Sequence, residues 1–341
     1  MEILYKKRFI ILLVGFVLIN ISVWIDLLKG KQNIEFGPIQ TKILGISILI
    51  FFVGICLQFP KQVLRIYKGL SIVFFLVGTG LFCINLLGEF ISLRDTEINT
   101  TESNHEGKTK NVKYNQDEVF DAIDKRTNED NEEYAYRLVD LVYNSTLHFF
   151  DPSKPEKYHQ RVPIYENYII FFRSLHPSVS DNYEFCNPYK ALERGVGLCS
   201  QFSKVIFGIL EQNGITANIY VLTGHVVTEA VIDETKDQRW VLDADMGVVV
   251  EHGVETLESN LDIVQEIYNR FGYSDIVSKK VADIYGSEGN YIQTNDEYCR
   301  SEATSYINKW VWPVISMIPF GLFILGEAIN NFVYSPNKPG Q

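Results

Sequence analysis

Four apolar segments near the ends of the chain constrain its fold more than any other feature of the sequence. They cover about Phe9–Ile25, Ile43–Phe59, Gly69–Leu87 and Trp310–Ile329. Each approaches the roughly 20 residues that a helix needs to cross the hydrocarbon core of a bilayer. Lys6–Arg8 precede the first segment as in a signal peptide, but no small-residue cleavage site follows. The sequence therefore predicts three transmembrane helices in residues 1–94 and a fourth, kinked by Pro313 and Pro319, in the C-terminal region 306–341.

Charge divides the chain in the same way. The whole chain carries −11; residues 1–94 carry +6 and residues 309–341 carry +1, which leaves −18 for residues 95–308. Such an acidic segment excludes nucleic acid as a partner, because phosphate binding needs a basic face. The basic clusters Lys6–Arg8 and Lys61–Lys68 predict the cytoplasmic ends of the helices. The chain is thus expected to be a multi-pass membrane protein, with the bilayer as partner of its terminal helices and its acidic part outside the cytoplasm.

The acidic part is expected to contain a flexible linker and one folded domain. Residues 95–115 hold a single aromatic residue and almost no aliphatic ones, which is typical of a linker that buries too little apolar surface to fold. Residues 116–305 form the predicted domain. Apolar periodicity predicts helices at Asp117–Arg126, Glu132–His148, Tyr165–Leu175, Tyr189–Arg194, Cys199–Asn213 and Asn260–Arg270. Segments rich in Val, Ile, Tyr and Thr predict strands at Ile215–Leu222, His225–Ile232, Arg239–Asp243 and Val248–Glu251. This order indicates an α+β fold.

One of the five cysteines is placed as a nucleophile would be. Cys199 follows Gly195–Leu198 and begins a predicted helix, where unpaired backbone N–H groups and the helix dipole favour a negative charge. The alternative is that Cys199 is only a small buried apolar residue. Cys186 is a rival nucleophile, although the Asn–Pro pair after it would interrupt a helix start. An extracytoplasmic domain permits a disulfide between Cys186 and Cys299, but nothing in the sequence places them together. The chain has neither CxxC nor HExxH, so no metal or other cofactor is expected.

A predicted hairpin supplies a histidine and a carboxylate. His225 begins one strand and Asp243 ends the next. A turn at residues 233–235 would pair His225 with Asp243, Val227 with Val241, and Glu229 with Arg239 as an exposed ion pair. A carboxylate beside an imidazole fixes its tautomer and stabilises its charged form. Asp245 is a rival for Asp243 and His252 a rival for His225, and the alternative is a chance pairing of surface residues.

Four stretches together resemble the transglutaminase-like superfamily. Arg194–Phe202 resembles the nucleophile motif of this family, and Asn213–Ala217 resembles the end of the helix that follows it. Gly224–Glu229 resembles the family's histidine strand, and Trp240–Asp245 resembles its aspartate strand. The resemblance implies a papain-like fold in which a catalytic helix packs on an antiparallel sheet. It also implies that Cys199 is the nucleophile, His225 the base and Asp243 the residue that orients the base. Val226 and Ala244 replace an aromatic residue and a proline that many members have, which leaves the type of substrate open.

Function is expected to follow from this triad. The resemblance implies a membrane-anchored thiol enzyme that transfers or hydrolyses acyl groups at an amide bond of a peptide or protein, as a peptidase, amidase or cross-linker. Because one fold supports several activities, a catalytically inactive binding or assembly module on the same anchor is the alternative.

Overall fold

The structure, a computed structural model, divides into two compact units. It describes residues 61–175, 184–293 and 297–334. The first unit comprises the described residues of 1–91, 162–182 and 300–341, and the second those of 92–161 and 183–299. The predicted transmembrane helices Phe9–Ile25 and Ile43–Phe59 lie outside the described residues.

The elements follow one another in chain order within the described residues. The helices are α1 (Lys61–Gly88), α2 (Gln116–Ala122), α3 (Asn131–Ser145), α4 (Tyr168–Ser174), α5 (Pro188–Arg194), α6 (Cys199–Gln212), α7 (Val254–Ser259), α8 (Leu261–Arg270), α9 (Asp275–Tyr285) and α10 (Glu297–Tyr334). The strands are β1 (Glu102–His105), β2 (Lys108–Asn111), β3 (Leu147–His148), β4 (Val196–Gly197), β5 (Ala217–Leu222), β6 (His225–Asp233), β7 (Gln238–Asp243), β8 (Val248–Val250) and β9 (Tyr291–Ile292).

Two helices of the first unit are long and apolar enough to span a membrane. The qualifying segments are Arg65–Gly88 in α1 and Glu302–Leu325 in α10. The first contains the predicted segment Gly69–Leu87, and the second covers most of the predicted segment Trp310–Ile329. Large apolar side chains on them face away from the protein, including Leu76 at 63% exposed and Leu87 at 59%. A helix from the core of a soluble protein would bury such side chains, so these two helices are suited to a lipid environment.

The contact between α1 and α10 compensates for a proline inside α10. Pro313 has no N–H to donate to the carbonyl oxygen of Lys309, one turn earlier. The side-chain amide of Asn85, which is fully buried, donates a hydrogen bond to that oxygen instead. A ring contact lies beside this point, with centroids 5.6 Å apart for Phe82 and Trp310. A buried polar residue in an apolar helix is thus explained by the carbonyl that Pro313 leaves unpaired.

An antiparallel five-stranded sheet forms the centre of the second unit. Its strand order is β8-β7-β6-β5-β9. Helix α6 packs on one face, where the Thr228 hydroxyl donates to the Ser203 carbonyl oxygen at 2.9 Å. The other face packs against α8 and α9, where Val227 joins a core cluster with Val264 and Tyr285. The predicted mixture of helices with an antiparallel sheet is confirmed.

The register between β6 and β7 differs from the predicted one by two residues. Glu229 pairs with Val241, not with Arg239, and Thr228 pairs with Leu242. The cause is a longer turn and a bulge between Val231 and Asp233, which shifts the pairing along the strand. Because side chains alternate with period two, a shift of two residues keeps every side chain on its predicted face.

The Glu229–Arg239 ion pair survives this shift, but it is not an exposed pair. Arg239 Nη1 lies 3.3 Å from Glu229 Oε1, and the Glu229 side chain is only 3% exposed. Its other oxygen accepts a hydrogen bond from the backbone N–H of Val254 at 2.9 Å, at the start of α7. Glu229 therefore joins the sheet to the first turn of a helix, and the prediction of an exposed pair is wrong.

The predicted flexible linker at residues 95–115 is also wrong. The segment forms a short 3-10 helix followed by the β1–β2 hairpin. Lys110 Nζ lies 3.7 Å from the ring centroid of Tyr143, and Lys108 Nζ lies 4.7 Å from that of Tyr273. Both lysines also donate to backbone carbonyl oxygens. The hairpin is ordered by cation–π contacts and hydrogen bonds, which a criterion based on apolar burial does not detect.

Candidate active site

Cys199 is the first residue of α6, as predicted. Helix α5 ends at Gly195, whose φ of +74° lies in the left-handed region that glycine favours. The chain then forms β4, which pairs with β3 in parallel. A Cβ at Gly197 would lie 2.6 Å from the Cβ of Gln201, so no larger residue fits between β4 and the first turn of α6. The thiol of Cys199 is a half-buried free thiol at a helix start.

Gln201, in the first turn of α6, holds the start of that helix against the segment that precedes it. Its side chain is fully buried. Its Oε1 accepts hydrogen bonds from the backbone N–H of Phe185 at 2.7 Å and from the Arg194 guanidinium at 2.9 Å, while its Nε2 donates to the Phe185 carbonyl oxygen at 2.8 Å. The first turn of the helix that begins with the predicted nucleophile is therefore fixed to Phe185 and Arg194 by the hydrogen bonds of Gln201.

His225 is hydrogen-bonded to Asp243. The distance from His225 Nε2 to Asp243 Oδ2 is 2.8 Å, and the two residues are diagonal neighbours on β6 and β7, within reach across a sheet. The same carboxylate oxygen accepts from the Tyr268 hydroxyl at 2.7 Å, and Oδ1 accepts from the backbone N–H of Met246 at 3.1 Å. Asp243 is 1% exposed. Three donors therefore fix a buried carboxylate that in turn orients the His225 ring.

The thiol of Cys199 lies next to this histidine. Cys199 Sγ, a ring nitrogen of His225 and a carboxylate oxygen of Asp245 all lie within 4.8 Å of one another. Burial by itself lowers the pKa of His225, but the Asp243 carboxylate, its hydrogen bond and the neighbouring Cys199 together raise that pKa well above its usual value. A histidine held in its charged form beside a thiol favours the thiolate.

Asp245, the rival carboxylate, binds two other histidines. Its Oδ1 lies 2.7 Å from His148 Nδ1 and its Oδ2 lies 3.3 Å from His105 Nε2. The two imidazole rings stack with centroids 3.7 Å apart and an interplanar angle of 15°. Burial alone raises the pKa of Asp245, but the hydrogen bonds from the two histidines and the charge of His225 lower it well below its usual range. Asp243 is thus the partner of His225, and Asp245 is a second anionic group beside the thiol.

The remaining rivals lie elsewhere. Cys186 forms a disulfide with Cys299, with a Cα–Cα distance of 5.4 Å, so it has no thiol to act as nucleophile. His252 lies in a polar cleft beside Arg239, at the end of β7 opposite to Asp243. The sequence did not indicate Tyr268, His105 or His148 as site residues. Tyr268 and His148 lie in segments whose apolar periodicity predicts only packed helices, and His105 lies in the polar segment 95–115.

The chain has no detectable relatives in three comparisons: no family model matches it, and neither a curated protein nor a solved structure does. Any assignment of activity therefore rests on the geometry of the site.

The His225–Asp243 pair makes a testable contribution to stability. Because folding raises the pKa of His225, the pair stabilises the protein fully below the ordinary histidine pKa of about 6.5. The contribution is lost as the pH rises through the raised value. We expect His225→Gln to lower the free energy of unfolding by about 1–3 kcal/mol at pH 6. The loss should become smaller as the pH is raised towards 9. Thermal unfolding of the detergent-solubilised chain at several pH values measures this.

The matched control for that experiment is His252→Gln, which changes a histidine outside the site. Its difference from the wild type should not follow the same course with pH. A cost of His225→Gln that stays constant, or that grows with pH, would show that His225 is not held in its charged form.

Proposed function

We propose that the second unit, within residues 92–161 and 183–299, is a thiol enzyme similar to the transglutaminase-like superfamily, which transfers or hydrolyses the acyl group of an amide in a peptide or protein. The observation that carries the proposal is the buried Asp243–His225 hydrogen bond with the Cys199 thiol beside it at a helix start. These are the three groups that acyl transfer through a thioester requires: a nucleophile, a base and a residue that orients the base.

The chemistry proceeds in two halves. The imidazolium of His225 holds the proton that the Cys199 thiol has given up, and the thiolate attacks the amide carbonyl carbon, whose π electrons move to the oxygen. Backbone N–H groups at the start of α6 are suited to that negative charge. The intermediate then expels the amine, which receives its proton from His225, and a thioester on Cys199 remains.

The second half regenerates the enzyme. Water or a second amine attacks the thioester carbonyl while His225 takes its proton, and the C–S bond breaks to release the Cys199 thiolate. Water as acceptor gives hydrolysis, and an amine gives a cross-link or transfer product. Throughout, Asp243 holds the imidazole in place, because the carboxylate accepts hydrogen bonds from His225, from the Tyr268 hydroxyl and from the Met246 N–H.

We also propose that the chain is a multi-pass membrane protein with this domain outside the cytoplasm. The Cys186–Cys299 disulfide supports an oxidising compartment. The positions of the basic clusters Lys6–Arg8 and Lys61–Lys68 relative to the predicted spans support the same orientation.

The proposed activity predicts an order of thiol reactivity. Wild-type Cys199 should react with iodoacetamide at pH 6.5 faster than free glutathione does. His225→Ala should slow this by about 100-fold or more, since that is the scale of a lost acid–base group. Asp243→Asn should fall between the two, because the amide no longer favours the imidazolium. Quantitative mass spectrometry of the Cys199 peptide measures the rates.

Two controls sharpen that test. Cys199→Ala should lose the labelled peptide, and Asp245→Asn should keep most of the reactivity, since Asp245 is not bonded to His225. If Asp245→Asn abolishes labelling and Asp243→Asn does not, Asp245 takes the orienting role. A Cys199 that reacts no faster than glutathione would favour the noncatalytic binding module.

The proposed orientation predicts which sites a membrane-impermeant maleimide reaches. In a Cys199→Ala background, Lys236→Cys replaces a lysine that is 73% exposed in the second unit, and it should be labelled on intact cells or spheroplasts. Lys68→Cys, in the basic cluster, is the matched control and should be labelled only after lysis. The reverse pattern would place the domain in the cytoplasm.

A further inference from the structure

Three side chains outside the proposed triad converge from distant parts of the second unit. His105 ends strand β1 of the polar hairpin, His148 ends β3, and Asp245 follows β7. One ligand atom from each lies within 4.8 Å of the other two. Each histidine directs a ring nitrogen to a different oxygen of the Asp245 carboxylate, at 3.3 Å and 2.7 Å. Nothing in the proposed acyl transfer requires the two histidines.

The donor set and its spacing suit a transition metal. Two imidazole nitrogens and one carboxylate oxygen are typical of sites that hold zinc with three protein ligands. Metal–ligand bonds of about 2.0–2.2 Å in a tetrahedron place ligand atoms roughly 3.3 Å apart. His105 Nε2 and Asp245 Oδ2 already have this separation. The 2.7 Å contact of His148 Nδ1 with Asp245 Oδ1 must open, and the two stacked rings must turn so that both nitrogens point to one ion. Magnesium and calcium prefer oxygen ligands alone.

We propose that His105 Nε2, His148 Nδ1 and the Asp245 carboxylate bind a divalent transition-metal ion, of which zinc is the best match. The ion would join hairpin β1–β2 to β3 and to the loop after β7. The ion would add to the cation–π contacts and hydrogen bonds that already hold the hairpin, since metal binding contributes directly to folding. This site is distinct from the triad, although Asp245 also lies within 4.8 Å of Cys199 and His225.

Binding can be measured on the full chain in detergent. After stripping with EDTA, the protein is dialysed against zinc chloride and the bound metal is counted by atomic emission. The wild type should bind about one zinc ion per chain through the three ligands. His105→Ala and His148→Ala should each weaken binding by at least the roughly 10–100-fold that loss of an outer-shell partner costs. His252→Ala is the matched histidine control and should bind as the wild type does.

A second measurement does not depend on how the variants fold. The zinc X-ray absorption spectrum of the loaded wild type should show nitrogen and oxygen ligands without sulfur. Zinc should also raise the unfolding temperature of the wild type, and not that of His105→Ala. A sulfur ligand would place the ion on Cys199 instead and overturn the proposal. Zinc binding that survives both His105→Ala and His148→Ala would overturn it too, as would a wild type that binds no zinc.

Discussion

The buried carboxylate of Asp243 is the interaction on which the arrangement of the site depends. It accepts hydrogen bonds from His225 on β6, from Tyr268 on α8 and from the backbone N–H of Met246 in the loop after β7. A carboxylate that is 1% exposed is tolerated only when its oxygens are satisfied. Strand, helix and loop must therefore assemble together around Asp243, and their assembly points His225 towards the thiol of Cys199.

The placement of His225 and Asp243 together beside Cys199 could be predicted from the sequence although the strand register could not. Period-two alternation placed His225 and Asp243 on one face of the hairpin, and a shift of two residues preserved that face. The bulge at Val231 and the longer turn left no signal in the pattern of apolar residues. The helix that begins at Cys199 was also predictable, because glycines precede it and its apolar stripe continues to an Asn–Gly stop. The face of the sheet on which a side chain lies, and the residue at which a helix begins, are thus easier to predict from the sequence than the register of two paired strands.

The network around Asp245 could not be predicted, for a different reason. Its members are separated by 43 residues between His105 and His148 and by 97 between His148 and Asp245, and no local spacing links them. The hairpin that carries His105 has almost no aliphatic residues, and a sequence of that composition predicts a linker. A two-residue turn at Glu106–Gly107, with positive φ at both positions, was the available local signal for a hairpin. The lysines that order it contact aromatic rings, which are contacts of tertiary structure.

The proposed function requires that His225, held by Asp243, faces the thiol of Cys199 as its reacting partner. Treatment of the full chain with dibromoacetone tests this most directly, because the reagent alkylates a reactive thiol and then bridges to a nucleophile within its three-carbon reach. We expect a bridge between Cys199 and His225, identified by mass spectrometry of the joined peptides, with a lower yield in Asp243→Asn. Alkylation of Cys199 that ends in a bridge to His148, or in no bridge at all, would contradict it.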